Sequence, residues 1–275
     1  MNLETAWGGC FVVDPTHSRG LSILNTGIYD IAASETVARL VESGDTVVDG
    51  GANIGYMTVL AGHMAGPGGR VIAFEPHPFL YSRLCEHVRL AESHGCRAGF
   101  DLREQALGST TGEAWLHVPK GFDQNDGLAS MISSNDAGEH RLEVSLTTLD
   151  ESLGVGPVKL LKLDIEGYEA EALLGAKELL KSGRVRNLLF EDHELGTGQV
   201  ASSLKAYGYE VFSLGWKCLG PVIQPLAMGS LAKAYEAPNF IATLEPSMVM
   251  ERFMPSGWKV LAKLVKRLPA ISAPC

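Results

Sequence analysis

The stretch Asp45-Thr46-Val47-Val48-Asp49-Gly50-Gly51-Ala52-Asn53-Ile54-Gly55, followed by Val71-Ile72-Ala73-Phe74-Glu75-Pro76, decides the fold. An apolar run ending in an acid reads as a buried strand. The glycines read as a tight turn, and the residues after Gly55 as a helix. A second apolar run ends in Glu75, twenty residues past Gly55. Strand, glycine turn, helix and acid-ended strand together make half of a nucleotide-cofactor site. Dinucleotide folds bring a pyrophosphate close to such a turn, where a helix N-terminus favours it. A carboxylate at Asp49 would repel that phosphate. It would suit a cofactor that has no phosphate and carries an ammonium and a sulfonium. S-adenosylmethionine (SAM), with S-adenosylhomocysteine as its product, is such a molecule.

The turn residues Gly50, Gly51, Ala52, Asn53 and Gly55 are therefore expected to bind cofactor. Gly50 and Gly51 permit close backbone approach and positive φ. Asn53 adds polar contacts, and Gly55 permits close helix–strand packing. Amides at the helix start can receive the carboxylate of a methionine moiety, and Asp49 can hold its ammonium. Glu75, at a strand end, can accept both ribose hydroxyls. NAD sites use an acid there as well, so Glu75 does not discriminate alone. Gln105 or Glu104, with Ala106, ends a third strand where an adenine would lie. The plainer reading of these positions is an N-capped turn, a solvated strand-end charge and an ordinary loop; the joint spacing favours the cofactor.

Two further clusters lie downstream. In Lys162-Leu163-Asp164-Ile165-Glu166-Gly167-Tyr168-Glu169, Lys162 and Asp164 share one face of a strand. A lysine in an apolar central strand is costly unless paired, and Asp164 falls at the C-terminal strand end, where open α/β sheets bind ligands. Glu166 and Glu169 suit a helix start. In Phe190-Glu191-Asp192-His193-Glu194, Glu191 ends the next strand and can stand beside Asp164, and His193 is a proton acceptor at neutral pH. Asp164, His193 and Glu191 are the candidate catalytic residues, with Glu191 as orienter. Two neighbouring carboxylates can also hold Mg²⁺, a reading the sequence does not favour, and no metal ligand is assigned. Tyr29, Phe122 and Trp216 lie in irregular segments and can cap an apolar substrate or simply pack.

A net charge of −9, from 23 basic and 32 acidic residues, argues against nucleic acid as the main partner. The five cysteines are scattered without metal-ligand spacing, which fits a reducing, cytoplasmic setting. Neither a signal-peptide pattern nor a membrane-length apolar run is evident.

The chain divides into a lead segment (1–30), a domain (31–245) and an amphipathic tail (246–275). In the lead segment, Cys10–Asp14 and Leu21–Asn25 read as short strands. A helix is expected over Ala32–Val41, with Ser34 as a cap. Strands are expected at Thr46–Asp49, Arg70–Phe74, within Gly99–Leu107, and at Val158–Leu163, Arg186–Phe190, Tyr209–Leu214 and Asn239–Leu244. Helices are expected at Ile54–Met64, Phe79–Ser93, Tyr168–Lys181 and Val200–Tyr207. This alternation predicts an α/β fold, a parallel sheet with helices on both faces. Glu113–Val118 and Arg141–Leu146 alternate apolar and polar residues, so a small β insertion (about 108–147) is expected over the cofactor side. Trp258–Leu268 reads as a basic amphipathic helix that packs on a surface or between the subunits of a homodimer; a stable membrane insertion is not expected.

Gly27-Ile28-Tyr29-Asp30, the Asp45–Tyr56 turn, Val71–Pro76, Ala106-Leu107-Gly108 and Leu161–Glu169 together resemble the FkbM family of SAM-dependent methyltransferases, within the class I, Rossmann-like superfamily. The similarity runs from about Gly27 to about Glu194. Two departures are visible: Gly50 stands where the family usually has Val, and Asp30 where it often has Glu. The resemblance implies a seven-stranded, mostly parallel sheet with the last strand antiparallel. It also implies methyl transfer to a hydroxyl of a small-molecule natural product or sugar. An N-methyltransferase, an NAD-dependent oxidoreductase and a non-catalytic binding protein are the alternatives.

Overall fold

The computed structural model describes residues 2–16, 18–118, 130–132, 141–231 and 238–261. The chain opens with a hairpin of β1 (Asn2–Glu4) and β2 (Cys10–Val12), then α1 (Ser18–Thr26) and α2 (Ile31–Leu40). Alternation follows: β3 (Thr46–Gly50), α3 (Tyr56–Ala65), β4 (Arg70–Phe74), α4 (Pro78–Ser93) and β5 (Gly99–Arg103). An inserted sheet comes next, made of β6 (Ala106–Leu107), β7 (Gly112–His117), β8 (Ser130–Ile132) and β9 (Arg141–Thr147). After α5 (Leu149–Ser152) come β10 (Val158–Leu163), α6 (Glu169–Leu174), α7 (Lys177–Lys181), β11 (Val185–Glu191) and α8 (Gln199–Ala206). The chain then forms β12 (Glu210–Lys217), β13 (Gly220–Pro225), β14 (Asn239–Thr243) and α9 (Pro246–Phe253).

The main sheet has eight strands in the order β13-β12-β14-β11-β10-β3-β4-β5. From β5 to β11 every pairing is parallel, while β14 runs antiparallel to both β11 and β12. The expected count of seven is exceeded by one, because β12 folds back into a hairpin with β13. Alternate residues feed two cores. Val47, Val71, Leu160, Leu189 and Ile241 pack beneath α2, α3 and α4, while Val48, Ile72, Leu161, Leu188 and Ala242 pack beneath α6, α7 and α8. Strands buried on both faces read as continuous apolar runs, which is why Arg70–Phe74 and Val158–Leu163 were legible with their boundaries.

Several local expectations are corrected. Leu21–Asn25 is helical, within α1, with Ile23 fully buried; a short apolar run carries no period that separates strand from helix. The cap of α2 is Asp30, not Ser34: its carboxylate accepts the Ala33 amide at 2.9 Å, while Ser34 donates to the Tyr29 carbonyl. The single helix expected over Tyr168–Lys181 is two. A Cβ on Gly175 would lie 2.0 Å from the Gly108 carbonyl, so the chain breaks where it passes the insertion. Asp150 then caps α7 by accepting the amides of Glu178 and Leu179. Of the expected basic helix Trp258–Leu268, Lys259–Leu261 form a 3₁₀ turn, Trp258 precedes it in irregular backbone, and 262–268 lie outside the described residues.

Helix α2 is buried on all sides, including Glu35 and Arg39. The segment after β14 covers it. Arg39 pairs with Glu35 at 2.8 Å and donates to the carbonyls of Arg252, Pro255 and Gly257, while Glu35 accepts the Val260 amide. This guanidinium thus satisfies one carbonyl in the last turn of α9 and two in the irregular segment beyond it. Removing one member of a buried ion pair typically costs about 3–5 kcal/mol. Arg39→Ala is expected to lower folding stability by about that amount in urea denaturation, and Arg39→Lys by less.

Candidate active site

The C-terminal ends of β3, β4 and β10 open onto one cleft, with about 840 Å³ of free space counting its mouth. Gly51, Ala52 and Asn53 line it, together with Glu75, Gln105, Ala106, Lys162 and Asp164. Asp49, Gly50, Glu191 and His193 do not reach its lining.

The glycine turn is closed upon itself. The amides of Gly51 and Ala52 both donate to the Phe74 carbonyl, at 3.0 and 2.9 Å. The Asn53 amide donates to Glu75 Oε2 at 2.8 Å, the Ile54 amide to Asn53 Oδ1, and the Gly55 amide to the Ala52 carbonyl. These five amides therefore cannot receive a carboxylate or phosphate without losing a partner, which leaves that task to the amides of the first turn of α3, from Tyr56 onwards. The glycines also serve packing more than ligand approach. A Cβ on Gly51, whose φ is +75°, would lie 1.9 Å from the Asp164 carbonyl. One on Gly50 would meet Leu107 and Leu163, and one on Gly55 would meet Leu84 of α4.

Glu75 is buried, and both its oxygens are fixed by amides: Oε2 by Asn53 and Oε1 by His77, each at 2.8 Å. Each oxygen keeps a second lone pair, so the carboxylate is a rigid acceptor at the cleft wall. Gln105 reaches the lining, whereas Glu104 is exposed outside it. Phe74, Leu80, Leu107 and Leu116 add an apolar slot beside them.

Asp49 is 1% exposed. Lys162 stands directly across from it in the parallel β3–β10 register, with Nζ 3.1 Å from Oδ1, and the Thr58 hydroxyl donates to Oδ2 at 2.7 Å. Lys162 Nζ also donates to the carbonyls of Gly51 and Gly50, at 3.1 and 3.3 Å, and lies 3.5 Å from Asp164 Oδ2. Burial disfavours this ammonium, but Asp49 and then Asp164 outweigh it and hold the lysine well above its ordinary range. The pairing that the sequence demanded of Lys162 is with Asp49 first. The contact expected between Asp49 and a cofactor ammonium is thus replaced by one within the chain.

Beyond Asp164, Glu191 ends β11 and shares a hydrogen bond with the Asp164 carboxyl. Burial, then the negative charges of Asp164 and Glu166, push the Glu191 carboxyl up to about 8. His193 is 68% exposed, and its Nε2 lies 3.0 Å from Glu191 Oε1. The three candidate catalytic residues therefore form one chain of contacts from the cleft wall outwards.

Of the proposed substrate caps, Tyr29 lines the cleft. Trp216 instead packs edge-on against Trp258, and Phe122 lies outside the described residues. Asp30 caps α2 and accepts a hydrogen bond from Asn239 of β14 at 2.9 Å. Sequence reading missed Thr58, Tyr56 and Asn239. Thr58 carried a signal, as the lone aliphatic hydroxyl in the first turn of an apolar helix; Tyr56, which accepts from Trp7 at 3.0 Å and lines the cleft, looked like core.

Parallel central strands, a last strand β14 inserted antiparallel between β11 and β12, and acids at the strand ends around a cleft define a Rossmann-like methyltransferase fold. A model of the family described as "Methyltransferase FkbM domain" matches residues 49–211, and the chain belongs to that family. It is similar to "Methyltransferase 1" of Beauveria bassiana (strain ARSEF 2860), at 30% identity over 147 residues, 47% of this chain and 57% of that protein. The chain thus spans little more than half of that relative's length. It is also similar to "31-O-demethyl-FK506 methyltransferase FkbM" of Streptomyces tacrolimicus, at 27% identity over 200 residues, 61% of this chain and 74% of that one. Among solved structures it is similar to a methyltransferase FkbM from Methylobacillus flagellatus KT, with a TM-score of 0.49 and 16% identity, covering 73% of this chain and 44% of that one.

The raised Glu191 carboxyl has a consequence for stability. Its folded value lies above the ordinary 4.5, so its contribution is full below about 4.5 and is lost as pH rises through about 8. Thermal unfolding midpoints are expected to fall between pH 5 and pH 9, and Glu191→Gln to flatten that fall.

Proposed function

We propose that this chain transfers a methyl group from SAM to a hydroxyl of a small-molecule acceptor, a natural product or a sugar. The observation that carries this reading is the convergence of Gly51, Asn53, Glu75, Gln105 and Asp164 on one cleft. The donor set fits such a cofactor: Glu75 is a fixed double acceptor for a ribose, and Gln105 with the apolar slot suits an adenine. A dinucleotide fits less well. The turn amides are engaged, and among the described residues lining the cleft Lys162 is the only Lys or Arg, committed to Asp49.

Bound SAM supplies a methyl group already activated by its sulfonium. The protein's part is to align the acceptor, exclude water and receive a proton. His193 suits the last task. Its Nε2 is held by Glu191, which leaves Nδ1 to take the hydroxyl proton, and Glu191 acts as a positioning residue. Methylation at oxygen is supported by the name of the Streptomyces relative, whose substrate lacks a methyl on an oxygen. In the described residues no helix is long and apolar enough to cross a membrane.

Methyl-labelled SAM and a panel of hydroxylated and amine acceptors test the reading. Label is expected on oxygen. His193→Ala is expected to lower kcat by about 100-fold or more, with S-adenosylhomocysteine affinity nearly unchanged. Label on nitrogen alone would move the assignment to an N-methyltransferase, and binding of NAD without S-adenosylhomocysteine would refute the cofactor.

A further inference from the structure

A carboxylate directly before the glycine turn is the natural partner for a cofactor ammonium, and here that place is taken from within. The Lys162 ammonium sits between Asp49, Asp164 and the carbonyls of Gly50 and Gly51. Its hydrogen bonds go to those two carbonyls, and its charge faces both carboxylates, with Asp49 Oδ1 nearest at 3.1 Å. Thr58 donates to the other Asp49 oxygen, and the carboxylate is 1% exposed and outside the cleft lining. A second ammonium arriving at Asp49 would have to displace a buried lysine from a buried carboxylate. Losing one partner of such a pair is among the costlier changes in a protein interior.

Asp164 stands differently. It lines the cleft, its side chain is 36% exposed, and it follows β10 at the edge where ligands of open α/β sheets bind. Its backbone is pinned by the Gly51 turn, which tolerates no Cβ against the Asp164 carbonyl. Its amide donates to the Gly50 carbonyl at 3.2 Å. Lys162 thus grips the Gly50 carbonyl that holds the Asp164 amide, the neighbouring Gly51 carbonyl, and lies 3.5 Å from the Asp164 carboxylate itself.

We propose that Asp164, and not Asp49, receives the ammonium of the cofactor's methionine end, and that Lys162 is the positioning residue that holds it there. The proposal rests on the SAM reading above. It assigns Asp49 a role at one remove: it keeps Lys162 charged, and Lys162 in turn fixes the turn carbonyls and Asp164. The cofactor end of the site is then built on an ion pair beneath the cleft floor. The proton-accepting end, Glu191 and His193, continues outwards from the same Asp164.

Calorimetry on the full chain with two probes separates the possibilities. S-adenosylhomocysteine carries the amino-acid end, and 5′-methylthioadenosine lacks it. Wild-type protein is expected to bind the first more tightly. Asp164→Asn, at a partly exposed position, is expected to weaken S-adenosylhomocysteine at least tenfold and leave 5′-methylthioadenosine within about twofold. The double variant Asp49→Asn with Lys162→Met removes both buried charges together. It is expected to weaken S-adenosylhomocysteine by less than Asp164→Asn does, again sparing 5′-methylthioadenosine. An unchanged ratio of the two affinities in Asp164→Asn overturns the proposal, as does an equal loss for both probes. A larger selective loss in the double variant returns the ammonium to Asp49, and no selective loss there removes Lys162 from the assignment. Wild-type protein that binds neither probe overturns the SAM reading itself, and the proposal with it.

Discussion

A buried ion pair between neighbouring central strands is the constraint on which the rest of the site depends. Asp49 and Lys162 face each other across β3 and β10, and neither charge is tolerable there alone. The pair fixes the register of the two strands at the end where the cleft opens. Through the Gly50 and Gly51 carbonyls it also fixes the turn. Once the turn is fixed, its amides fall on Phe74 and Glu75 of the next strand end, and Glu75 is oriented in consequence. The charge on one buried lysine thereby orders three consecutive strand ends.

The periphery reaches the cleft by equally definite routes. Asp30 caps α2, takes a hydrogen bond from Asn239 on β14, and so places Tyr29 at the cleft wall. Helix α2 is itself held by Arg39 beneath the segment that follows β14. On the opposite side, β5 passes directly into Gln105 and Ala106, and the inserted sheet contributes Leu116. Contributions from both ends of the chain and from the insertion therefore meet at a site whose floor comes from the middle.

How legible this was depended on whether the signal was local. The central strands are apolar runs bounded by Gly or charge, and Arg70–Phe74 and Val158–Leu163 could be read to the residue. The need of Lys162 for a partner was legible too, because an unpaired lysine in such a strand has no physical excuse. Its choice of Asp49 over a purely local pairing with Asp164 was not, since register between distant strands is not written in either one. The same holds for the break between α6 and α7, which a carbonyl from the insertion imposes, and for α1, where four apolar or small residues fit either period. The engagement of the turn amides escaped for a similar reason. Glycines announce a turn, but whether its donors point at a ligand or at Phe74 is decided by the neighbouring strand.

The margin of the main sheet at β13 is written in proline. Pro221 and Pro225 share one side of the pleat, opposite Trp216 and Phe212. Proline is accommodated in an edge strand where its missing N–H would have pointed outwards. The outer rim of β13 therefore presents carbonyls with few donors among them. A bare edge normally invites another chain to extend the ladder; this one withholds half of the hydrogen-bonding alphabet such an extension needs. Self-association of this chain along that rim is disfavoured by covalent chemistry, with no charged guard required.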